Sequence, residues 1–182
     1  MKEVFVFLAE GFEEIEAVAT IDVIRRGEIK VTTVSISNDY LVTGAHGIPV
    51  KADRLFTETD FSGGSMLILP GGMPGASNLN SHKGLKIQLK EYVAAGKKIA
   101  AICAAPLVLG GLGLLQGKNA TAYPGFEATL TGAQYVKTGV VIDGNIITGR
   151  GPGFAADFGL AIVSQLEGQA KADEVAAGML LA

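Results

Sequence analysis

"KKIAAICAAPLVLGGLGLL" (97–115) decides how this chain folds. Residues 98–102 form a short apolar run, the pattern of a strand buried on both faces. Pro106 stands where proline suits the first turn of a helix, and a second apolar run follows it. Between the two lies Cys103, the only cysteine in 182 residues. A strand that turns into a helix within one or two small residues is the nucleophile-elbow pattern, and Ala101, Ala104 and Ala105 permit the tight turn. A thiol placed there faces a helix N-terminus, whose partial positive charge favours thiolate. Nearby backbone N–H groups can hold an oxyanion. The bland alternative is a buried, inert thiol.

Outward from this stretch the same alternation repeats. "VFVFLA" (4–9) reads as a buried strand and 13–26 as an amphipathic helix. A strand follows at 29–37, then a hairpin at 40–50 with turn signals at Gly44 and Gly47. "MLILPGG" (66–72) is a strand ending in a glycine turn, and 82–96 is a helix closing on Gly96. Another strand is expected near 119–122, a hairpin at 140–149, and helices at 154–168 and 172–182. Strands alternating with helices predict an α/β three-layer sandwich around a mostly parallel sheet, as one domain over 1–182. In such sheets ligands bind past the carboxyl ends of the strands. Three ends are unusual: "AEGFEEIE", "PGG" and Cys103.

Composition narrows the class. The formal net charge is −3 and the pI about 5.4, which argues against a nucleic-acid surface. One cysteine allows no intrachain disulfide, which fits a reducing compartment. The first residues do not read as a signal peptide, and Pro106 with three glycines breaks the most apolar stretch, so no membrane span is expected. The expectation is a cytoplasmic protein.

Other candidates carry less. "PGGMPGAS" (70–77) lacks a phosphate-loop pattern and reads as an oxyanion loop or a plain turn. "GLGLLQGK" (111–118) is followed by Asn119 rather than Ser or Thr and reads as a helix end. Of Glu10, Glu13, Glu14 and Glu16, three are expected on a solvated helix start. His46 and His82 show no metal spacing to each other or to Cys103, so no metal site is predicted.

Taken together, "EGFEEIEAVATIDVIRR", "LILPGG", "AAICAAP", Tyr123-Pro124 and "GRGPGFAADFGLAIV" resemble, in order, the blocks of the DJ-1/ThiJ/PfpI superfamily, closest to its DJ-1 and bacterial ThiJ-like branch. The resemblance implies a flavodoxin-like sandwich that forms a homodimer and needs no cofactor. Cys103 matches the family's reactive cysteine, and Glu16 the glutamate that is kept protonated and hydrogen-bonds the sulfur. Gly72 and Ala104 match the backbone N–H groups of an oxyanion-type pocket. Arg26 matches a pocket arginine, and His46 falls where relatives often carry another. Arg150 to Gly153 lies beside the site in relatives. One departure stands out: many relatives place histidine where this chain has Tyr123, and a phenol is a poor base at neutral pH.

The resemblance implies glyoxalase- or deglycase-like chemistry on small aldehydes or glycated adducts, through a hemithioacetal on Cys103 with Glu16 moving protons. The alternative is a non-enzymatic redox sensor or chaperone-like dimer, in which oxidation of Cys103 is the signal. Some relatives are labelled intracellular proteases or thiazole-biosynthesis proteins. The missing histidine favours the sensor, while the Glu–Cys pair suits both.

Overall fold

The computed structural model describes residues 2–181. In chain order the elements are β1 (Glu3–Leu8), α1 (Glu14–Arg26), β2 (Lys30–Ser35), β3 (Leu41–Thr43), β4 (Pro49–Lys51), β5 (Arg54–Leu55), β6 (Met66–Leu69), α2 (Gly75–Ser81), α3 (Lys83–Ala94), β7 (Lys98–Ile102), α4 (Pro106–Gly111), β8 (Asn119–Ala120), β9 (Gln134–Tyr135), β10 (Val140–Asp143), β11 (Ile146–Gly149), α5 (Ala155–Glu167) and α6 (Gln169–Gly178).

Seven strands form the central sheet in the order β10-β11-β7-β6-β1-β2-β5. Every pair is parallel except β10 with β11. The five inner strands follow the flavodoxin-like doubly wound order, with the switch point between β1 and β6. Side-chain alternation sends Val4, Val6 and Leu8 to one face, where α1, α5 and α6 supply Ile24, Phe158, Ile162 and Val175. Phe5 and Phe7 go to the other, against Leu79, Leu85, Leu89 and Val108 from α2, α3 and α4. Strands covered on both faces must be apolar throughout, which is why β1, β6 and β7 read as runs rather than alternations.

Three expectations change. The strand near 119–122 exists only as β8, which pairs with β9 in a separate two-stranded sheet. The place beside β7 is taken by β11, whose four residues are all buried. Segment 121–123 docks over it instead: the Thr121 N–H donates to Thr148 Oγ1 at 3.0 Å. The "PGGMPGAS" turn holds more structure than expected, because Gly75 opens α2. Its small and polar residues have weak helix propensity, so packing of Ala76 and Leu79 decides the helix. The last expected helix spans Gln169–Gly178, and Ala182 lies outside the described residues.

The loops at the switch point are stitched together. The Glu13 N–H donates to the Gly71 carbonyl at 3.0 Å, the Gly11 N–H to Thr43 and the Ala45 N–H to Phe12, each at 2.8 Å. The β1 loop, the β6 loop and the β3–β4 hairpin therefore form one rim. Among the described residues no helix is long and apolar enough to cross a membrane.

Candidate active site

Cys103 is the residue immediately after β7, and its φ is +65°. A left-handed backbone at a non-glycine residue costs about 1–3 kcal/mol and persists only where its surroundings enforce it. Here both backbone groups are tied: the Cys103 N–H donates to Gly149 and its carbonyl accepts from the Tyr123 N–H, each at 2.9 Å. The elbow read from the small neighbours is thus present. Cys103 is buried, 8% exposed.

Three elements converge on the sulfur. Backbone N–H groups of Gly72 and Ala104 both bond to it. Gly72 has a φ of +88°, and a Cβ there would lie 2.4 Å from the Glu13 nitrogen, so only glycine can present that amide. From α1 comes Glu16, fully buried, its carboxyl bonded to the Cys103 thiol. Glu16 Oε2 accepts the Gly71 N–H at 2.9 Å. Its Oε1 is buried and has no partner within the described residues by ordinary bond geometry. Such an oxygen is costly as part of a carboxylate and suits a protonated acid. Glu13 caps α1 by accepting the Glu16 N–H at 2.6 Å, which fixes where the helix starts and where Glu16 points.

Burial dominates the electrostatics of the pair. It pushes Glu16 up to about 7, helped by the Glu13 charge and opposed by the hydrogen bonds from Cys103 and Gly71. It pushes the Cys103 thiol up to about 12; the charge on Glu16 and its hydrogen bond add to this, and the Gly72 and Ala104 amides oppose it. The two groups titrate as a coupled pair. While Glu16 is charged the sulfur keeps its proton. The thiolate belongs to the form in which Glu16 holds the proton and donates it toward sulfur. The helix-end contribution expected from the sequence is small, because α4 has six residues and begins only at Pro106.

Gly72, Ala104, Glu16 and Cys103 thus come together. Arg26 does not: it lies at the far end of α1 from Glu16 and binds Asp22 at 2.7 Å. His46 sits on the rim, exposed, with Nδ1 2.8 Å from Glu14 Oε2. Tyr123 meets Cys103 through a backbone hydrogen bond; the residue is 45% exposed and its ring lies beside Gly151.

The acids correct an expectation. Glu13 and Glu14 are buried along with Glu16, and only Glu10 is exposed. Glu14 turns inward because Oε1 accepts the His46 N–H at 2.7 Å. The fold also gathers Glu13, Glu14 and His46 within 4.8 Å, which no spacing in the sequence announced. An ion pair and two sets of backbone bonds account for that cluster. Sequence reasoning passed over Gly71, whose only signal was its place in "PGG".

Cavity size alone does not find this site. A cleft of about 590 Å³ lies at the β2 edge, lined by charged residues such as Arg25, Lys30 and Asp53, away from Cys103. A smaller cleft of about 340 Å³ lies beside the elbow, between Tyr123, Pro124, Arg150 and Phe154.

Comparison with known proteins bears on the chain as a whole. The DJ-1/PfpI family profile matches residues 2–165. The chain is 44% identical to Protein DJ-1 homolog A of Arabidopsis thaliana over 99% of its length; it spans about half of that relative (47%). It is 37% identical to Protein dj-1beta of Drosophila melanogaster, covering 100% of this chain and 98% of that one. The structure of oxidized Toxoplasma gondii DJ-1 superposes with a TM-score of 0.96 at 37% identity, with full coverage of both chains.

Proposed function

The chain belongs to the DJ-1/PfpI family, and from that premise we propose that it is a cofactor-free, cysteine-dependent enzyme acting on small reactive aldehydes or glycated adducts. One observation carries the reading: a cysteine held in a left-handed elbow, with a buried acid of near-neutral pKa against its sulfur. A general acid–base group works best with a pKa near the working pH.

In this reading, with methylglyoxal, Glu16 holds the proton and the Cys103 thiolate attacks the aldehyde carbon. An S–C bond forms, the carbonyl π pair moves to oxygen, and that oxygen takes the proton from Glu16. The Gly72 and Ala104 amides stabilise the charge as it develops. Glu16, now a carboxylate, removes the C–H proton of the hemithioacetal and returns a proton to the neighbouring carbon. The resulting thioester is cut by water, which breaks the S–C bond and releases a 2-hydroxy acid. Loss of methylglyoxal and gain of lactate should occur with wild type and vanish in Cys103→Ser. Equal rates in the two proteins would sink the reading.

The side chain of Tyr123 favours a second reading, a redox sensor. Its side chain is exposed, and its hydrogen bond to Cys103 runs through the backbone. A solved relative is described as oxidized. With no second cysteine to resolve a sulfenate, peroxide should carry Cys103 to the sulfinic acid. Mass spectrometry that found methionine oxidation alone would exclude it.

The same reading includes a homodimer in the cytoplasm. Ile15 and Val18 on α1 and Ile48 beside β4 are exposed apolar residues on the rim side. Light scattering giving a mass near 18.8 kDa would overturn the dimer.

A further inference from the structure

We infer that Arg150 is an anion-recognising residue beside Cys103, and that the carbonyl substrate it selects carries a carboxylate. The substrate part of this inference rests on the enzyme reading above.

Placement comes first. Gly149 of β11 pairs with Ile102 of β7. The next residue on each strand is Arg150 and Cys103, so cation and nucleophile leave adjacent strand ends. Arg150 is held there by its own N–H, which donates to Gly139 at 2.8 Å.

The second observation is a missing partner. Arg150 Nε is buried and has no hydrogen-bond acceptor among the described residues. No carboxylate of those residues pairs with it either, whereas Arg25 pairs with Asp53 and Arg26 with Asp22. A guanidinium cannot shed its proton, so a buried, unpaired N–H cannot be relieved by titration. Leaving such a group unsatisfied is costly, and a ligand acceptor removes the cost.

The surroundings choose the ligand. Arg150 lines the 340 Å³ cleft, whose other walls are Tyr123, Pro124, Pro152 and Phe154. Weakly polar walls strengthen a charge pair, and a planar guanidinium matches a planar carboxylate through two parallel bonds. Glu16 approaches the sulfur from α1, with the carboxyls of Glu13 and Glu14 on the same segment, whereas the end of β11 offers a cation. A substrate carboxylate is therefore drawn to the Arg150 side while its carbonyl meets Cys103. The class this describes is an α-oxoaldehyde with a carboxylate a few atoms away; 4,5-dioxopentanoate is a probe, and methylglyoxal is its uncharged counterpart.

The test uses the single cysteine as its reporter. Iodoacetate and iodoacetamide differ chiefly in charge, and both alkylate Cys103. The ratio of their rates should fall at least about tenfold in Arg150→Met and largely survive in Arg150→Lys, since a bond to a charged group is worth that much or more. In wild type, acetate should slow alkylation while acetamide and chloride at matched ionic strength do not, which needs no variant to fold. An unchanged ratio in a folded Arg150→Met, or wild-type alkylation indifferent to acetate, overturns the assignment. Turnover separates the two proposals: kcat/KM for 4,5-dioxopentanoate should exceed that for methylglyoxal in wild type and lose that advantage in Arg150→Met. If neither compound is turned over, the enzyme reading fails, while the alkylation ratio still decides on Arg150.

Discussion

The Gly71 N–H donates to Glu16 Oε2 at 2.9 Å, and it reaches that oxygen only because Gly71 has no side chain. A Cβ at this position would lie 2.7 Å from Glu16 Oε2, 2.6 Å from Cys103 Cβ and 2.8 Å from the Ile102 carbonyl. Gly71→Ala must therefore push the acid and the thiol apart. Overpacking of this kind costs about 1–3 kcal/mol. The variant should melt lower than wild type, and its Cys103 should be alkylated with an altered pH profile. Wild-type melting and an unchanged profile together would show that the junction is slack.

Glu16 acts on the sulfur in two opposed ways, and substitutions separate them. Its charge holds the thiol protonated, while its proton, when present, supports the thiolate. Glu16→Gln removes the charge and keeps an N–H donor; Glu16→Leu removes both. A hydrogen bond to a charged group is worth about 1.5–3 kcal/mol, so the Cys103 pKa should lie about a unit or more lower in Glu16→Gln than in Glu16→Leu. Thiolate absorbance against pH measures it. Equal values would mean that the side chain at 16 donates nothing to sulfur.

How far the sequence reached follows from these residues. The elbow was legible because alternation of apolar runs and the small residues around Cys103 are local signals. Glu16 and Gly72 were legible through ordered motifs. Desolvation was not, since the burial that lifts Cys103 and Glu16 depends on α1 packing over the ends of β1 and β6. Nor was the inward turn of Glu14, because its partner His46 is 32 residues away on a hairpin. The misplaced strand has a similar cause: residues 119–122 and 146–149 both suit a sheet edge. Only the partner strand β10 decides that β11 wins, through the antiparallel pairing of Val141 with Thr148.

The His46–Glu14 contact predicts a pH window. The hydrogen bond to Glu14, and then its charge, raise the His46 pKa above 6.5. Burial pushes Glu14 up, but the hydrogen bonds from the His46 side chain and backbone and from Ile48 outweigh it and hold it below 4.5. The histidine's contribution is complete below its unfolded value and lost as pH rises through the raised one. The glutamate's is complete above its unfolded value and lost as pH falls through the lowered one. The pair is thus strongest between about 4.5 and 6.5. An NMR titration of His46 should give a midpoint above the ordinary one that drops in Glu14→Gln. A midpoint that stays put would remove the pairing from solution.

Tyr123 sets the last expectation. Its phenol is exposed, and its contact with Cys103 runs through the backbone. A phenol in that place is a poor general base at neutral pH. An acyl-transfer cycle also needs an acid for the leaving group, and this ring is a weak one. Peptidase activity should therefore be negligible, and aldehyde turnover low. The ring lies beside Gly151, and an imidazole is smaller than the phenol it would replace. A positioned general base contributes about 10²–10⁴-fold, so Tyr123→His should raise methylglyoxal turnover by at least about tenfold. It should also introduce a rate dependence on a group titrating near the ordinary histidine value of about 6.5. If turnover is unchanged and the pH profile keeps only the limb set by Glu16, the proton work is done by Glu16 alone, and position 123 has no part in it.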